Sequence, residues 1–122
     1  MSMKYAIFCF TAEDLASASW TPDKDREVIE RLDLVCEAFS GCVTQAARLQ
    51  PVTSAVSVRK GRAEAMVVDG PFIESKEHLV GFYMVDCDAL DTAIDFAKKL
   101  SAANPWGSGY EVRPILAVRR VT

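Results

Sequence analysis

Two short segments constrain this chain more than anything else in it. Residues 4–10 (Lys-Tyr-Ala-Ile-Phe-Cys-Phe) and residues 80–85 (Val-Gly-Phe-Tyr-Met-Val) are β-favouring runs that lack polar alternation. Successive side chains of a strand point to opposite faces, so each run asks for apolar cover on both sides of its sheet. The whole chain has only 122 residues, the size of one compact domain, and two segments with helical periodicity. Two helices cover one face of a small sheet. The other face is left for something else.

The helices are legible from their ends and spacing. Thr21-Pro22-Asp23 is a helix start: a hydroxyl N-cap, proline at the first helical position and an acid in the first turn. Val28, Ile29, Leu32, Val35, Cys36 and Phe39 then recur at helical spacing, with Gly41 expected as the C-cap. Asp88 is expected to cap a second helix whose stripe is Leu90, Ala93, Ile94, Ala97 and Leu100. Between the helices, residues 42–49 read as extended. Residues 55–68 read as a hairpin around Lys60-Gly61-Arg62, ended by Asp69-Gly70-Pro71. Residues 11–20 are a surface connection, and Asn104 to Gly109 is a loop holding Trp106. Tyr110 to Val118 reads as a last strand that Pro114 confines to an edge or a bulge.

The order is therefore strand, helix, two or three strands, helix, strand. It predicts one α+β domain over 1–122, a ferredoxin-like (split βαβ) antiparallel sheet with both helices on one face. The bare face predicts a homodimer through that open sheet surface.

Composition narrows the chemistry. Fourteen basic against seventeen acidic residues exclude the clustered basic excess that nucleic-acid binding needs. No apolar run approaches the roughly 20 residues of a membrane span or resembles a secretory h-region. Cys9, Cys36, Cys42 and Cys87 are read as buried thiols of a cytoplasmic protein rather than as disulfides. No C-x-x-C pair exists, and the single His78 has no partner at zinc-ligand spacing, so neither metal nor cofactor is expected.

The string Val68-Asp69-Gly70-Pro71-Phe72-Ile73-Glu74-Ser75-Lys76-Glu77, followed by Gly81-Phe82-Tyr83 and later Glu111-Val112-Arg113-Pro114-Ile115, resembles the YCII-related family of the DGPF type. The likeness runs from the Lys4-Tyr5 strand almost to Val118. It implies a dimeric α+β barrel in which two ferredoxin-like sheets face each other. Members of this family are mostly uncharacterised and often encoded near extracytoplasmic-function sigma factors, with enzymatic activity inferred only from a pocket. The wider family carries a histidine on the first helix, proposed as half of an acid–base pair. Here that helix offers Glu30 and Asp33 but no histidine, and His78 stands where DGPF relatives usually have glutamine.

Among the residues themselves, Asp69 is the first catalytic candidate. It follows a strand, and a carboxylate held in a partly apolar pocket is a general base; an Asx turn is the structural alternative. The expected arrangement puts Asp69 into a small pocket walled by Gly70, Pro71 and a buried Phe72 ring. His78, which titrates near neutral pH when unperturbed, is the second candidate. Lys76 is a candidate anion ligand. Glu111 and Arg113 share a strand face, as an ion pair or as a carboxylate-binding fork. Trp106 is a candidate lid or partner contact. Arg59, Lys60 and Arg62 read as a solubility device on a hairpin tip. Two functions follow: a metal-independent small-molecule enzyme using a carboxylate acid/base, or a non-catalytic ligand-binding or regulatory module, with sigma-factor linkage implied only by the resemblance.

Overall fold

The computed structural model describes residues 2–107 and 109–121; Ser108, within the expected 104–109 loop, lies outside them. The elements are β1 (Met3–Thr11), α1 (Pro22–Ala38), β2 (Val43–Arg48), a 3-10 turn (Val52–Ser54), β3 (Val56–Arg59), β4 (Met66–Asp69), β5 (His78–Cys87), α2 (Leu90–Ala103) and β6 (Gly109–Pro114). Four strands form an antiparallel sheet in the order β2-β5-β1-β6, and β3 pairs with β4 as a separate hairpin. This is the ferredoxin-like strand order, with the hairpin inserted between the second and third strands of the sheet.

The two both-faced runs occupy the central strands β1 and β5, paired from Met3↔Cys87 to Thr11↔His78 with a bulge between Cys9 and Phe10. Tyr5, Ile7, Val85 and Cys87 point to the helices and are buried, with Ala93, Phe96, Ala97 and Leu100 of α2 closing over them. Phe96 is the centre of an aromatic trio, 5.1 Å from Phe39 and 5.5 Å from Tyr83 between ring centroids. Such pairs add about 0.5–1.5 kcal/mol beyond the area they bury.

The alternate residues Ala6, Phe8, Phe10, Phe82 and Met84 lie on the opposite face, partly buried, with no helix over them. Charged pairs border this apolar strip: Lys4 to Asp86 at 3.3 Å and Arg113 to Glu111, with the Arg113 guanidinium 5.8 Å from the Phe8 ring centroid.

The helix boundaries follow the capping chemistry at one end and depart from it at the others. Thr21 caps α1, its hydroxyl oxygen accepting from the Lys24 N–H at 3.2 Å. Gly41 is not the C-cap: the helix closes at Phe39, whose N–H reaches the Val35 and Cys36 carbonyls. Asp88 does not cap α2 either. Ala89 holds that position without a side-chain bond, and Asp91 in the first turn supplies the favourable charge instead. β6 is an edge strand, as Pro114 requires, but it ends at Pro114 rather than at Val118.

All four cysteines are free, Cys9 and Cys87 buried, Cys36 and Cys42 partly so. Burial raises the thiol pKa of Cys9, Cys36 and Cys87, so these side chains behave as small hydrophobes. Among the described residues, no helix is long and apolar enough to cross a membrane.

Candidate functional site

One end of the sheet gathers the polar groups. There β1 finishes at Thr11, β5 begins at His78 opposite it, and β6 begins at Gly109 opposite Phe10. Two concavities meet at this end. An inner chamber of about 100 Å³ lies between α1 and the sheet, with Val28, Ile29 and Leu32 as its apolar floor and Glu13, Asp14, Arg48 and Tyr110 among its polar walls. An outer cleft of about 940 Å³ lies under the segment that follows β4, walled by Phe10, Pro71, Phe72, His78 and Glu111. Leu49 and Tyr110 line both, so the two volumes share a wall.

Asp14 and His78 stand on either side of that wall. The Asp14 carboxylate is buried, its side chain only 7% exposed, and His78 Nδ1 lies 3.5 Å from Asp14 Oδ2. That nitrogen is itself buried and has no hydrogen-bond partner, so its approach to Asp14 is an ionic proximity. Asp14 is held by the backbone on both oxygens: Oδ1 accepts from the Ala16 N–H at 2.9 Å and Oδ2 from the Val52 N–H at 3.0 Å. Burial works to raise its pKa, but the Val52 and Ala16 N–H groups and the neighbouring imidazole outweigh it and leave it below the usual carboxylate range. Asp14 thus ties three distant pieces of chain together: the β1–α1 loop, the turn after β2 and the start of β5.

A second ionic group closes the inner chamber beside α1. Arg48 of β2 grips Asp25 of α1, with Nη2 2.5 Å from Oδ1 and Nη1 3.3 Å from Oδ2, and the Trp20 indole N–H donates to the same carboxylate at 3.1 Å. Burial opposes ionisation of Asp25, yet the Arg48 and Trp20 bonds prevail and its pKa is lowered. Trp20 in turn meets Trp106 edge to face at 5.8 Å, and the Lys24 ammonium sits 5.3 Å from the Trp106 ring centroid.

On the sheet side, the Tyr110 hydroxyl is buried beside the Cys9 thiol and the Asn104 side chain, and Glu13 Oε2 is buried without a hydrogen-bond partner. Burial and the neighbouring Cys9 push the Tyr110 pKa far up, so its hydroxyl stays protonated. Burial does the same to Tyr83.

The DGPF segment takes a different place from the one its sequence suggests. Asp69 pairs with Val56 at the end of the hairpin, is exposed and lines neither concavity. Gly70 has φ +108°, the only positive φ among the described residues. Its N–H donates to the Ala55 carbonyl at 2.8 Å, and its own carbonyl accepts from the buried Ser57 hydroxyl at 2.6 Å. Glycine is needed there because a Cβ disfavours that backbone conformation. Pro71 and Phe72 do wall the outer cleft, but the Phe72 ring is not buried. It is 57% exposed, with the Arg59 guanidinium 4.2 Å from its centroid. The turn is anchored by its backbone and Ser57 rather than by the ring.

Of the remaining candidates, Glu111 lines the outer cleft and is bonded to Arg113, which does not line it. Lys76 is exposed and lines neither concavity, and Trp106 packs on Trp20 outside both. The structure therefore brings His78, Phe72, Pro71 and Glu111 together and leaves Asp69, Lys76, Trp106 and Arg113 outside. Asp14 and Glu13 were hidden in the sequence, two acids in a polar connection. Their only signal is position, just past the end of a central strand. Among the described residues, no group of three or more His, Cys, Asp or Glu side chains is placed to hold a metal ion.

An antiparallel α+β sheet of this order, with a histidine–carboxylate pair at one strand end, defines a class of small α+β protein rather than an activity. Comparison with known proteins supplies the family: residues 3–119 match the YCII-related domain, and the chain belongs to that family. It is also 44% identical over 115 residues to an uncharacterized protein of Rhizobium meliloti (strain 1021), covering 93% of this chain and 92% of that one.

Proposed function

We propose that the chain is a metal-independent acid–base catalyst acting on a small molecule in the outer cleft, with His78 as the proton-transferring group and Asp14 as the residue that positions it. The observation that carries this reading is the 3.5 Å approach of His78 Nδ1 to a buried carboxylate whose oxygens are already fixed by two backbone N–H groups. A carboxylate held in its charged form favours a proton on the near nitrogen. The far nitrogen, Nε2, is then the basic one.

His78 lines the outer cleft together with Phe10, Phe72 and Glu111. The ring is partly exposed there, so a bound molecule has access to it. Nε2 takes a proton from the substrate, and the imidazolium that forms is stabilised by Asp14 until the proton is returned. Such proton transfer contributes typically 10²–10⁴-fold to a rate. This assigns the acid–base role expected of Asp69 to a different carboxylate, acting through the histidine. Asp69 is exposed at the end of a hairpin and lines neither concavity.

The same reading includes a homodimer across the open sheet face, two sheets packing into an α+β barrel. Its support is the apolar strip of Ala6, Phe8, Phe10, Phe82 and Met84 left without helical cover. Phe10 belongs both to that strip and to the outer cleft, so a second copy would border the substrate as well as the sheet.

The chain contains one histidine, so nitrogen-15 NMR of uniformly labelled protein reads it without assignment. The expected result is the Nδ1–H tautomer at pH above the imidazole's titration. A ring found as the Nε2–H tautomer leaves no basic nitrogen toward the cleft and refutes the acid–base reading in favour of a ligand-binding module.

A further inference from the structure

The β3–β4 hairpin stands apart from the main sheet and keeps an apolar face in the open. Its strands pair only with each other, and a two-stranded hairpin by itself is marginal in water. The register sets Val58 opposite Val67, with Val56 on the same face. Val58 is 63% and Val67 70% exposed.

A second uncovered element lies at the other end of the sheet. There β1 begins at Met3 opposite Cys87, and β6 ends at Pro114 opposite Tyr5. The Ile115 N–H still donates to the Lys4 carbonyl at 2.9 Å, and the chain then leaves the sheet with Leu116 and Val118 exposed. Met3, Lys4, Pro114, Ile115, Leu116 and Val118 line a concavity of about 520 Å³ at this end.

What covers both elements follows from area. The dimer proposed above rests on Ala6, Phe8, Phe10, Phe82 and Met84, each already more than half buried within its own chain. A fully exposed aromatic side chain offers about 150–250 Å². Three rings at less than half that value, with Ala6 and Met84, fall well short of the ~800 Å² that a specific interface takes from each partner. The missing area is at the two ends of the same face. Phe10 belongs to the open face and to the outer cleft, and the cleft's facing wall, Pro71, Phe72 and Ile73, is the chain that leaves the hairpin. The hairpin thus borders the open face at the Thr11 end, as the tail borders it at the Met3 end.

A two-fold dimer closes over this face in one of two senses. With strands running the same way in both sheets, hairpin meets hairpin, and Arg59, Lys60 and Arg62 of the tip confront the same three charges. Such a like-charge contact disfavours the pairing. With strands opposed, each projecting hairpin meets the partner's concavity, and one symmetry operation covers both apolar elements. Arg119 and Arg120 follow that concavity without lining it.

We infer that the β3–β4 hairpin is an arm that seats on a second copy of this chain, laying Val58 and Val67 against Leu116 of the partner subunit. The inference rests on the dimer reading and extends it to the site. The arm leads through Gly70 into Pro71 and Phe72, so a seated arm holds one wall of the outer cleft, and the cleft is complete only in the dimer.

Sedimentation equilibrium on the natural chain, on Phe8→Glu and on a Val58→Glu, Val67→Glu double variant separates the arm from the dimer. The natural chain is expected to be a dimer, and the double variant to dissociate at least tenfold more readily. Both of its positions are exposed in the single chain, so its far-ultraviolet dichroism should be unchanged. A cross-link reads the sense of the pairing, and decides if the double variant does not fold. Val58→Cys chains mixed with Leu116→Cys chains, with copper phenanthroline as oxidant, are expected to give a disulfide-bonded dimer in clear excess over either variant alone. The natural chain, with its own four cysteines, is the control. A monomeric natural chain, or a dimer that Phe8→Glu leaves intact, overturns the barrel reading and the arm with it. A dimer that Phe8→Glu breaks and the double variant leaves within twofold overturns the arm alone, as does a mixture that cross-links no more than Val58→Cys by itself.

Discussion

Replacing Asp14 by asparagine tests how much of this corner depends on one side chain. The carboxylate accepts two backbone hydrogen bonds, one on each oxygen, from Ala16 and Val52. Asparagine has a single acceptor oxygen. Whichever way its amide turns, one backbone N–H faces an NH₂ group and is left unsatisfied in a buried place. Such an orphan costs about 1–3 kcal/mol, and for a chain of this size each kcal/mol lowers the melting temperature by roughly 3–6 °C. The Asp14→Asn variant is thus expected to melt well below the natural protein at pH 7.

The pH dependence gives the sharper check. The folded-state pKa of Asp14 is lowered, so its ionisation contributes stability that is fully present above the unfolded value near 4 and is lost as pH falls through the folded value. Asparagine does not titrate. The stability gap between the two proteins should therefore shrink as the pH falls below about 4. Urea unfolding of both proteins across that range measures it. A variant as stable as the natural chain at pH 7, or a gap unchanged at pH 3, would refute the account of Asp14 as an ionised buried acceptor.

Two other expectations follow from features away from that pair. Gly70→Ala should cost about 1–3 kcal/mol in urea unfolding, through backbone strain at φ +108° alone. The nearest atom to an added Cβ is Glu74 Oε1 at 4.0 Å, so no clash contributes, and an unchanged midpoint would contradict this. Light scattering at micromolar concentration should give the mass of a dimer, with an interface above about 1,000 Å². Phe8→Glu, placed in the middle of the open face, should yield the monomer, and a monomeric natural protein would dismiss the barrel.

The fold was legible because its signals are local. The unbroken apolar runs of β1 and β5 announce central strands, and Thr21-Pro22 announces a helix wherever it stands. Less legible are ends whose closure depends on neighbours. Gly41 is idle as a cap because the Phe39 N–H already reaches the Val35 and Cys36 carbonyls. Asp88 is idle because Ala89 takes the cap position. The site was less legible for a related reason. Asp69 carries a conspicuous motif, yet the motif's work is to turn the chain at Gly70 and lay Pro71 and Phe72 along a cleft. Asp14 carries no motif at all. Nothing in Glu13-Asp14-Leu15 distinguishes it from an ordinary polar loop until the turn at Val52 and the strand start at His78 arrive beside it. Residues defined by long-range closure leave no periodicity to read.

The packing of Trp20 on Trp106 has a consequence for how this protein can be watched. The chain has two tryptophans, and they share one corner, with the Trp20 indole bonded to Asp25 and lining the inner chamber. Intrinsic emission is therefore a local gauge. It reports on the start of α1 and on the filling of the chamber, and it is blind to the hairpin and to the open face of the sheet. A denaturation curve followed by emission and one followed by far-ultraviolet dichroism will superimpose only if that corner and the sheet come apart as a single cooperative unit. Any separation between the curves measures how independently the corner opens.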